Sequence, residues 1–346
     1  MWLNLLLSGG SLVCLWGILE CSLRLVGQTW RLENFSIAAN APLRQAYRVH
    51  AANDRVGWFP SPGAAEVAGQ KVTFLAEGIL SNENPGLELQ KQPRLLAVGD
   101  SFTFGAGGSV SAQETWPAIL ERMSQRQVLN AGVGGYGIDQ TYLRAEMLLP
   151  EYQPQIVIFG LIPDDIGRAE LAVRGDTPKP YFELTGAAEV VFHPVSPSFQ
   201  TQGWRIWGRK ILGYSYFFHL VMTRLLPDYW YGCQRVHTQG SAVGCVLLNQ
   251  LGAYAQKHQI AVIVLIQWEK YPKADSVKRV NALRACLDEH MLKVLDLRAA
   301  FNQVRQQNGP RFANFYQDAM GGHLTATGNQ FVAEQLWRFM QAQQLL

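Results

Sequence analysis

Apolar residues in the second part of this chain occur in short runs separated by longer amphipathic segments. The runs predict buried strands at residues 94–98, 127–131, 156–159, 260–266 and 293–297. The segments between and after them predict helices over about 113–125, 138–150, 244–258, 275–290, from Arg298 onward, and near 325–343. Strands that alternate with helices are typical of a parallel sheet covered on both faces. The order suits an α/β fold, a three-layer α/β/α sandwich with a flavodoxin-like sheet.

The N-terminal segment is the longest uncharged stretch of the chain. Residues 2–19 are nearly all apolar or small. As a helix they would extend about 27 Å, close to the hydrocarbon thickness of a bilayer. No Lys or Arg precedes them and no small-residue cleavage site follows, which disfavours a cleaved signal peptide. We therefore predict a single-pass transmembrane anchor within residues 1–24, with a signal peptide and a buried helix as the alternatives.

Two further regions have irregular or unusual composition. Residues 25–93 are rich in Gly, Pro and Asn in places, and we interpret them as a linker and lead-in without chemistry of their own. Residues 94–346 then form the main predicted domain, with an aromatic-rich insertion at about 166–242. That insertion could be a lid, a sugar-stacking platform or a membrane-interface surface, or its rings could simply pack an extra subdomain.

Composition narrows the class of protein. With 346 residues and 48% apolar content, the chain can bury a sizeable core. A formal net charge of +3 and the lack of a basic cluster argue against nucleic-acid binding. The five cysteines show no zinc-binding spacing, and we expect no metal or cofactor. Cys233 and Cys245 could pair in an oxidising compartment, which would leave Cys286 free.

Candidate chemistry begins at Ser101. It follows the predicted strand 94–98, at the sheet edge where open α/β folds bind ligands. A lone Ser on a loop is ordinarily a turn residue, and the sequence Gly-Asp-Ser-Phe-Thr is neither a G-x-S-x-G elbow nor a phosphate loop. Gly132, Gly134 and Gly137 match a dinucleotide fingerprint. However, the next acidic residue at a strand end, Asp164, comes 27 residues after Gly137, too late for that motif.

Four stretches in this order resemble the blocks of the SGNH (GDSL-type) hydrolases. They are Val98–Gly105, Asn130–Gly137, Leu161–Asp165 and Asp318–Asn329. The resemblance implies that Ser101 is the nucleophile, His323 the general base and Asp318 the group that orients it. It also implies an oxyanion hole formed by the backbone N–H groups of Ser101 and Gly135, together with the side chain at position 164.

The chain departs from that family at two positions. Asp164 stands where the family has an Asn that donates to the oxyanion, and an ionised Asp can only accept hydrogen bonds. Asp164 could donate only if protonated, which its neighbour Asp165 would favour. Met320 stands where the family has its orienting Asp, so Asp318 would have to reach His323 from two residues further away.

The resemblance implies a membrane-anchored serine esterase or O-acyltransferase that acts on ester-linked acyl groups, on a cell-surface glycan or lipid. The alternative is a non-catalytic glycan-binding or assembly protein with the same fold. Arg168, Arg174 and Lys179 could meet an anionic substrate or could be ordinary surface charges.

The side of the membrane is open. Anchored relatives of this family place the domain outside the cytoplasm, on the periplasmic side. The four arginines that follow the predicted span would instead favour the cytoplasm; they are Arg24, Arg31, Arg44 and Arg48.

Overall fold

The computed structural model describes residues 2–30, 32–38, 50–67, 69–84, 94–105, 110–186, 189–196, 203–317 and 322–345. Its strands are β1 (His50–Asn53), β2 (Gly57–Pro60), β3 (Gly63–Val67), β4 (Gln70–Phe74), β5 (Arg94–Val98), β6 (Gln127–Asn130), β7 (Ile156–Leu161), β8 (Leu171–Arg174), β9 (Thr177–Pro178), β10 (Tyr181–Leu184), β11 (Val190–His193), β12 (Gln234–Arg235), β13 (Ala261–Ile266) and β14 (Leu292–Asp296). Its α-helices are α1 (Trp2–Val26), α2 (Phe35–Ala38), α3 (Ser101–Phe104), α4 (Trp116–Ser124), α5 (Ile138–Tyr152), α6 (Pro163–Arg168), α7 (Gly203–Leu212), α8 (Tyr216–Leu225), α9 (Pro227–Trp230), α10 (Gly240–Lys257), α11 (Ala274–Arg284), α12 (Arg298–Gln307), α13 (Gly309–Ala313) and α14 (Ala326–Ala342).

A five-stranded parallel sheet forms the centre of the fold. Its strand order is β14-β13-β7-β5-β6, and all neighbours are parallel. Numbered along the chain, these five strands have the order 2-1-3-4-5 of a flavodoxin-like sheet, which confirms the sequence prediction. Every residue of β7 is buried, as expected for the middle strand of a sheet covered on both faces.

The helices pack in two groups. Helix α4 packs against α14, while α5 packs against α10 and α10 against α11. The chain moves from β5 outward to β6 through α4, then back to β7 through α5. Because such crossovers are right-handed, the two helices lie on opposite faces of the sheet. The arrangement is thus the predicted three-layer sandwich.

Local signals set most helix boundaries. Thr115 caps α4 by accepting a hydrogen bond from the N–H of Ala118, and Pro117 lies in the first turn, as predicted. Helix α11 is shorter than predicted and ends at Arg284. Beyond it, the Asp288 side chain accepts a hydrogen bond from the N–H of His290, so a side-chain-to-backbone turn replaces the helix.

The lead-in is β-rich where the structure describes it. Strands β1 and β2 form one antiparallel pair, and β3 and β4 form a second. Trp58 of β2 packs edge-on against Tyr136, and its indole N–H donates to the carbonyl of Gly134 at 3.2 Å. The lead-in therefore supports the loop that carries Gly135.

The chain divides into two compact units. Unit 1 comprises residues 1–44, 173–178 and 197–235, and unit 2 comprises the remaining residues. Unit 2 contains the five-stranded sheet and the main hydrophobic core. Unit 1 contains α1, α2, α7, α8 and α9. Much of the predicted insertion therefore belongs to the same unit as the N-terminal helix.

The predicted anchor over residues 2–19 lies within α1. Among the residues that the structure describes, no helix is both long enough and apolar enough to cross a membrane. A transmembrane helix at this position is therefore not supported.

The predicted cysteine pairing is wrong. Cys245 of α10 is bonded to Cys286, which follows α11, and their Cα atoms lie 6.0 Å apart. Cys233 is free. The packing of α10 against α11 brings Cys245 and Cys286 together, and sequence spacing alone does not reveal such a contact.

Candidate active site

Ser101 and His323 meet at the C-terminal edge of the sheet. Ser101 is the first residue of α3, directly after β5, and Asp100 caps that short helix by accepting the N–H of Phe102 at 2.9 Å. The Ser101 Oγ lies 2.9 Å from the His323 Nε2, although the two residues are 222 positions apart in sequence. Both side chains are partly exposed. The structure therefore brings together the predicted nucleophile and the predicted base.

The loop that carries His323 is held from both sides. The carbonyl of His323 accepts the N–H of Gln317 at 2.8 Å, and the Gln317 side chain donates to the carbonyl of Leu324 at 2.8 Å. Phe102 stacks against the imidazole, with ring centroids 5.2 Å apart. These contacts orient the ring toward Ser101.

A second set of bonds links the helix after His323 to the helix that begins at Ser101. Asn329 of α14 accepts the backbone N–H of Trp116 at 3.0 Å. The Trp116 indole N–H in turn donates to the carbonyl of Phe102 at 3.0 Å. Both Trp116 and Asn329 are buried. The Asn in the sequence Gly-Asn after His323 thus connects α14 to the nucleophile's helix through one tryptophan.

Gly135 lies in a tight turn next to the nucleophile. The turn from Val133 to Tyr136 is closed by the N–H of Tyr136 to the carbonyl of Val133, and the φ of Gly135 is +85°. A positive φ at the third position of such a turn favours glycine. The N–H of Val133 donates to the carbonyl of Gly99 at 3.0 Å, which joins this turn to the one that carries Ser101.

Close backbone contact explains another glycine of the same loop. A Cβ at Gly132 would fall 2.8 Å from the Cα of Phe104. The loop after β6 therefore packs directly on α3, and only glycine permits that approach. This packing accounts for part of the Gly132–Gly137 pattern without a dinucleotide.

A buried ion cluster lies behind Ser101. The Arg168 Nη1 donates to the Asp100 Oδ2 at 3.1 Å, to the Asp165 Oδ1 and to the carbonyl of Tyr136 at 3.0 Å. Both carboxyl groups are fully buried. The Asp100 Oδ2 also lies 3.3 Å from the Ser101 Oγ. The Ser101 hydroxyl therefore has two possible acceptors, His323 and Asp100.

Two carboxyl groups share one guanidinium in this cluster, so ionisation of both would leave one negative charge in excess. Burial, and then repulsion from Asp100, raise the pKa of Asp165 well above its usual range, although Arg168 opposes the shift. Burial lowers the pKa of Arg168, but the carboxylates of Asp165, Asp100 and Asp164 outweigh it, and the net pKa is raised. Arg168 therefore stays charged throughout the working pH range.

Asp164 and Glu269 lie on the more open side of the same edge. Asp164, in the first turn of α6, is exposed, whereas its neighbour Asp165 points inward. Glu269 follows β13, and burial, then the charge of Asp164, raise its pKa. The sequence predicted that repulsion between Asp164 and Asp165 would raise the pKa of one of them. The pKa of Asp165 is raised, and burial is the larger cause.

Two sequence expectations about charged residues are wrong. Arg168 is not an ordinary surface charge, because it is held by Asp100 and Asp165. Lys179 is fully buried, and its Nζ donates to Asp139 and to the carbonyls of Leu171 and Pro180. Lys179 is therefore not placed to meet an anionic substrate on the surface.

The predicted orienting acid is Asp318. Asp318, and Met320 beside it, lie outside the described residues. The described part of the loop resumes at Gly322, one residue before His323.

The sequence reasoning missed Asp100, Arg168 and Glu269 as members of the site. A signal for Arg168 was present, because Asp165 precedes it by three residues on one short helix, which places the two side chains on one face. Glu269 comes three residues after the end of β13, at the ligand-binding edge of the sheet.

No protein-family model matches this chain, and no curated protein matches it. Solved structures of similar fold include a lipolytic protein of the G-D-S-L family from Desulfitobacterium hafniense, with 16% identity over 72% of this chain and 99% of that one, at a TM-score of 0.40. An acetyl xylan esterase has 15% identity over 71% and 98%, at 0.42. A lipase/acylhydrolase from Enterococcus faecalis has 14% identity over 73% and 97%, at 0.43. The likeness to these three proteins is one of fold.

Proposed function

We propose that this chain cleaves or transfers ester-linked acyl groups, with Ser101 as nucleophile and His323 as general base. The observation that supports this proposal is the 2.9 Å contact between the Ser101 Oγ and the His323 Nε2 at the C-terminal edge of the sheet. A nucleophile and a base within hydrogen-bond reach are the minimal arrangement for acyl transfer.

In the proposed reaction, His323 takes the Ser101 proton as the Oγ attacks the acyl carbonyl. The Oγ–carbon bond forms and the carbonyl oxygen becomes an oxyanion, which the N–H groups of Ser101 and Gly135 are proposed to bind. His323 then gives its proton to the leaving alcohol. Water, or a hydroxyl of an acceptor, attacks the acyl-enzyme in the second half, so hydrolysis and acyl transfer differ only in that acceptor.

Arg168 has a positioning role in this proposal. It donates to the same Asp100 oxygen that faces the Ser101 hydroxyl. An oxygen already bound to a guanidinium is a weaker acceptor for a further proton. The Ser101 hydroxyl is therefore directed toward His323, which can remove its proton.

The substrate class and the location are proposals as well. Acyl groups on a cell-surface glycan or lipid fit a catalytic domain outside the cytoplasm. The bond between Cys245 and Cys286 supports that location, because disulfides persist in oxidising compartments. Asp318 remains the proposed orienting acid.

A non-catalytic glycan-binding or assembly protein is the second candidate. Asp164 favours it, because an exposed carboxylate at the position of an oxyanion donor would repel the developing charge. The intact contact between Ser101 and His323 favours catalysis, since a binding protein has no need of it.

Hydrolysis of an aryl acetate tests the proposal. Ser101→Ala and His323→Ala should each lower kcat by about 10⁴-fold or more, and the double variant should lose little beyond either single one, because the two groups act together. His258→Ala, at an exposed histidine, is the matched control and should keep the wild-type rate. A Ser101→Ala variant with the wild-type rate would exclude this serine as the nucleophile.

A further inference from the structure

Exposed apolar side chains are concentrated in unit 1. Among the described residues, eighteen large hydrophobic side chains are exposed, and fourteen of them belong to unit 1. Unit 2, which is much larger, exposes only Val191, Phe192, Tyr254 and Tyr271 of this group. A protein surface this rich in apolar groups usually marks a binding site.

Helix α1 exposes apolar side chains in many directions. Seven large apolar side chains of this helix are exposed to solvent: Val13, Leu15, Trp16, Ile18, Leu19, Leu25 and Val26. At about 100° per residue, they spread over roughly two thirds of the helix circumference. A helix that docks in a protein groove needs only one apolar stripe, whereas a helix surrounded by apolar groups is typical of a lipid environment.

The polar side of α1 is narrow and already occupied. Glu20 accepts hydrogen bonds from the Ser215 Oγ at 2.8 Å and from the N–H of Phe217 at 3.0 Å, so it caps the start of α8. Arg24 donates to Glu20 at 2.6 Å and to the carbonyl of Tyr214 at 2.5 Å. These bonds fix α1 to the turn between α7 and α8.

Helices α7 and α8, on either side of that turn, also expose apolar side chains. Trp207 and Ile211 lie one turn apart on α7 and are 65% and 66% exposed. Tyr214 in the turn is exposed as well, and Leu225 and Leu226 are exposed at the end of α8. The exposed apolar side chains of unit 1 are thus spread over three helices and are not confined to α1.

The charge of unit 1 indicates the nature of the partner. Unit 1 has nine Lys and Arg residues against four Asp and Glu residues, a net charge of +5, whereas the whole chain has +3. Exposed Lys210 and Arg224 lie on the same two helices as the exposed apolar residues. A second copy of this positively charged unit would be repelled, but anionic lipid headgroups would be attracted.

We propose that unit 1 is a lipid-binding unit, which seats the exposed apolar side chains of α1, α7 and α8 in a bilayer with anionic headgroups. Exposed Trp and Tyr side chains suit the boundary between headgroups and acyl chains. This binding is independent of whether Ser101 reacts with an ester.

Vesicle flotation with the full-length chain tests the proposal. The protein should float with phosphatidylcholine–phosphatidylglycerol vesicles and bind more weakly to phosphatidylcholine alone. Trp207→Ser combined with Ile211→Ser should lower the partition coefficient by roughly tenfold or more, because two apolar side chains no longer enter the lipid. The matched control, Tyr254→Ser combined with Tyr271→Ser in unit 2, should leave it unchanged.

A charge variant separates headgroup attraction from apolar insertion. Lys210→Glu combined with Arg224→Glu should weaken binding to the anionic vesicles and leave binding to neutral vesicles unchanged. If Trp207→Ser combined with Ile211→Ser partitions into vesicles as strongly as the wild type, α7 does not enter the lipid, and the proposal is contradicted. A wild-type protein that ignores vesicles but forms a dimer, which Trp207→Ser with Ile211→Ser dissociates, would show that a second copy occupies this surface and would overturn the proposal.

Discussion

Two cations of unit 2 differ in the number of carboxyl groups that they meet. Lys179 meets one carboxylate, that of Asp139, and its other two donors reach the carbonyls of Leu171 and Pro180 at 3.0 and 2.8 Å. Its three N–H groups therefore have three acceptors. Arg168 meets two carboxylates, and one of them also faces the Ser101 hydroxyl.

The difference separates a structural ion pair from a functional one. The Lys179 pair joins one cation to one carboxylate, and we expect its removal to affect folding alone. The Arg168 cluster has two carboxyl groups for one guanidinium and lies next to Ser101, and perturbed pKa values in such places are typical of active sites. Substitutions of Lys179 should therefore change stability, whereas substitutions of Arg168 should change the rate and its pH dependence.

The largest effect on stability is expected for Lys179→Met. Burial raises the pKa of Asp139 and Lys179 opposes that shift. Without the lysine, the buried carboxylate is unpaired, and the free energy of unfolding should fall by about 3–5 kcal/mol. Denaturant unfolding measures this loss, and the kcat of the folded fraction should match the wild type. A changed pH–rate profile would contradict the structural role of Lys179.

Arg168→Met should instead change the reaction. Asp100 would become a stronger acceptor for the Ser101 hydroxyl, and kcat should drop by roughly a hundredfold. The acidic limb of the pH–rate profile should also move to higher pH, because the carboxylates at this edge would favour the protonated form of His323. The titratable acids at this edge are Asp100, Asp164, Asp165 and Glu269, and the positive charge of Lys273 opposes theirs.

Two variants control for a loss of folding in Arg168→Met. Arg168→Lys retains the positive charge, so its acidic limb should stay near the wild-type position even if kcat falls. Arg279→Met removes a partly buried arginine that pairs with Glu170 and Asp275, and it should leave the profile unchanged. An unshifted acidic limb in Arg168→Met would contradict the positioning role.

A smaller gain is expected for Asp164→Asn. The amide supplies an N–H donor where the wild type has an acceptor-only carboxylate, and kcat at alkaline pH should rise by about tenfold. A folded but inactive Asp164→Asn would show that Asp164 has another role, such as orienting His323.

The smallest effect is expected for Asp165→Asn, on stability alone. The raised pKa of Asp165 means that the native state holds a proton that the unfolded chain releases above about pH 4. The free energy of unfolding therefore falls as pH rises toward the native pKa, by about 1.4 kcal/mol per unit of difference. Asp165→Asn should remove this decline. If the free energy of unfolding falls equally with pH in the wild type and in Asp165→Asn, Asp165 is not protonated in the native state.

The sheet was predictable because its strands are continuous apolar runs. The prediction for residues 94–98 coincides with β5, and those for 127–131 and 260–266 differ from β6 and β13 by one residue. Helix ends were less predictable, since turn bonds such as that of Asp288 compete with the helix.

The site was only partly predictable. The family resemblance predicted the pairing of Ser101 with His323, which no local pattern could supply across so much sequence. Arg168 was missed as a site residue because buried and exposed arginines look alike in a sequence. Cys286 was likewise missed as the partner of Cys245, because the contact depends on how α10 and α11 pack.

Labelling with a fluorophosphonate probe, followed by peptide mass mapping, tests the central claim most directly. The probe forms a bond only with a serine whose proton is removed by a base. The account predicts one labelled peptide that contains Ser101 in the wild type, and no label in Ser101→Ala or His323→Ala. An unlabelled wild type, or equal labelling of the wild type and Ser101→Ala, would contradict it.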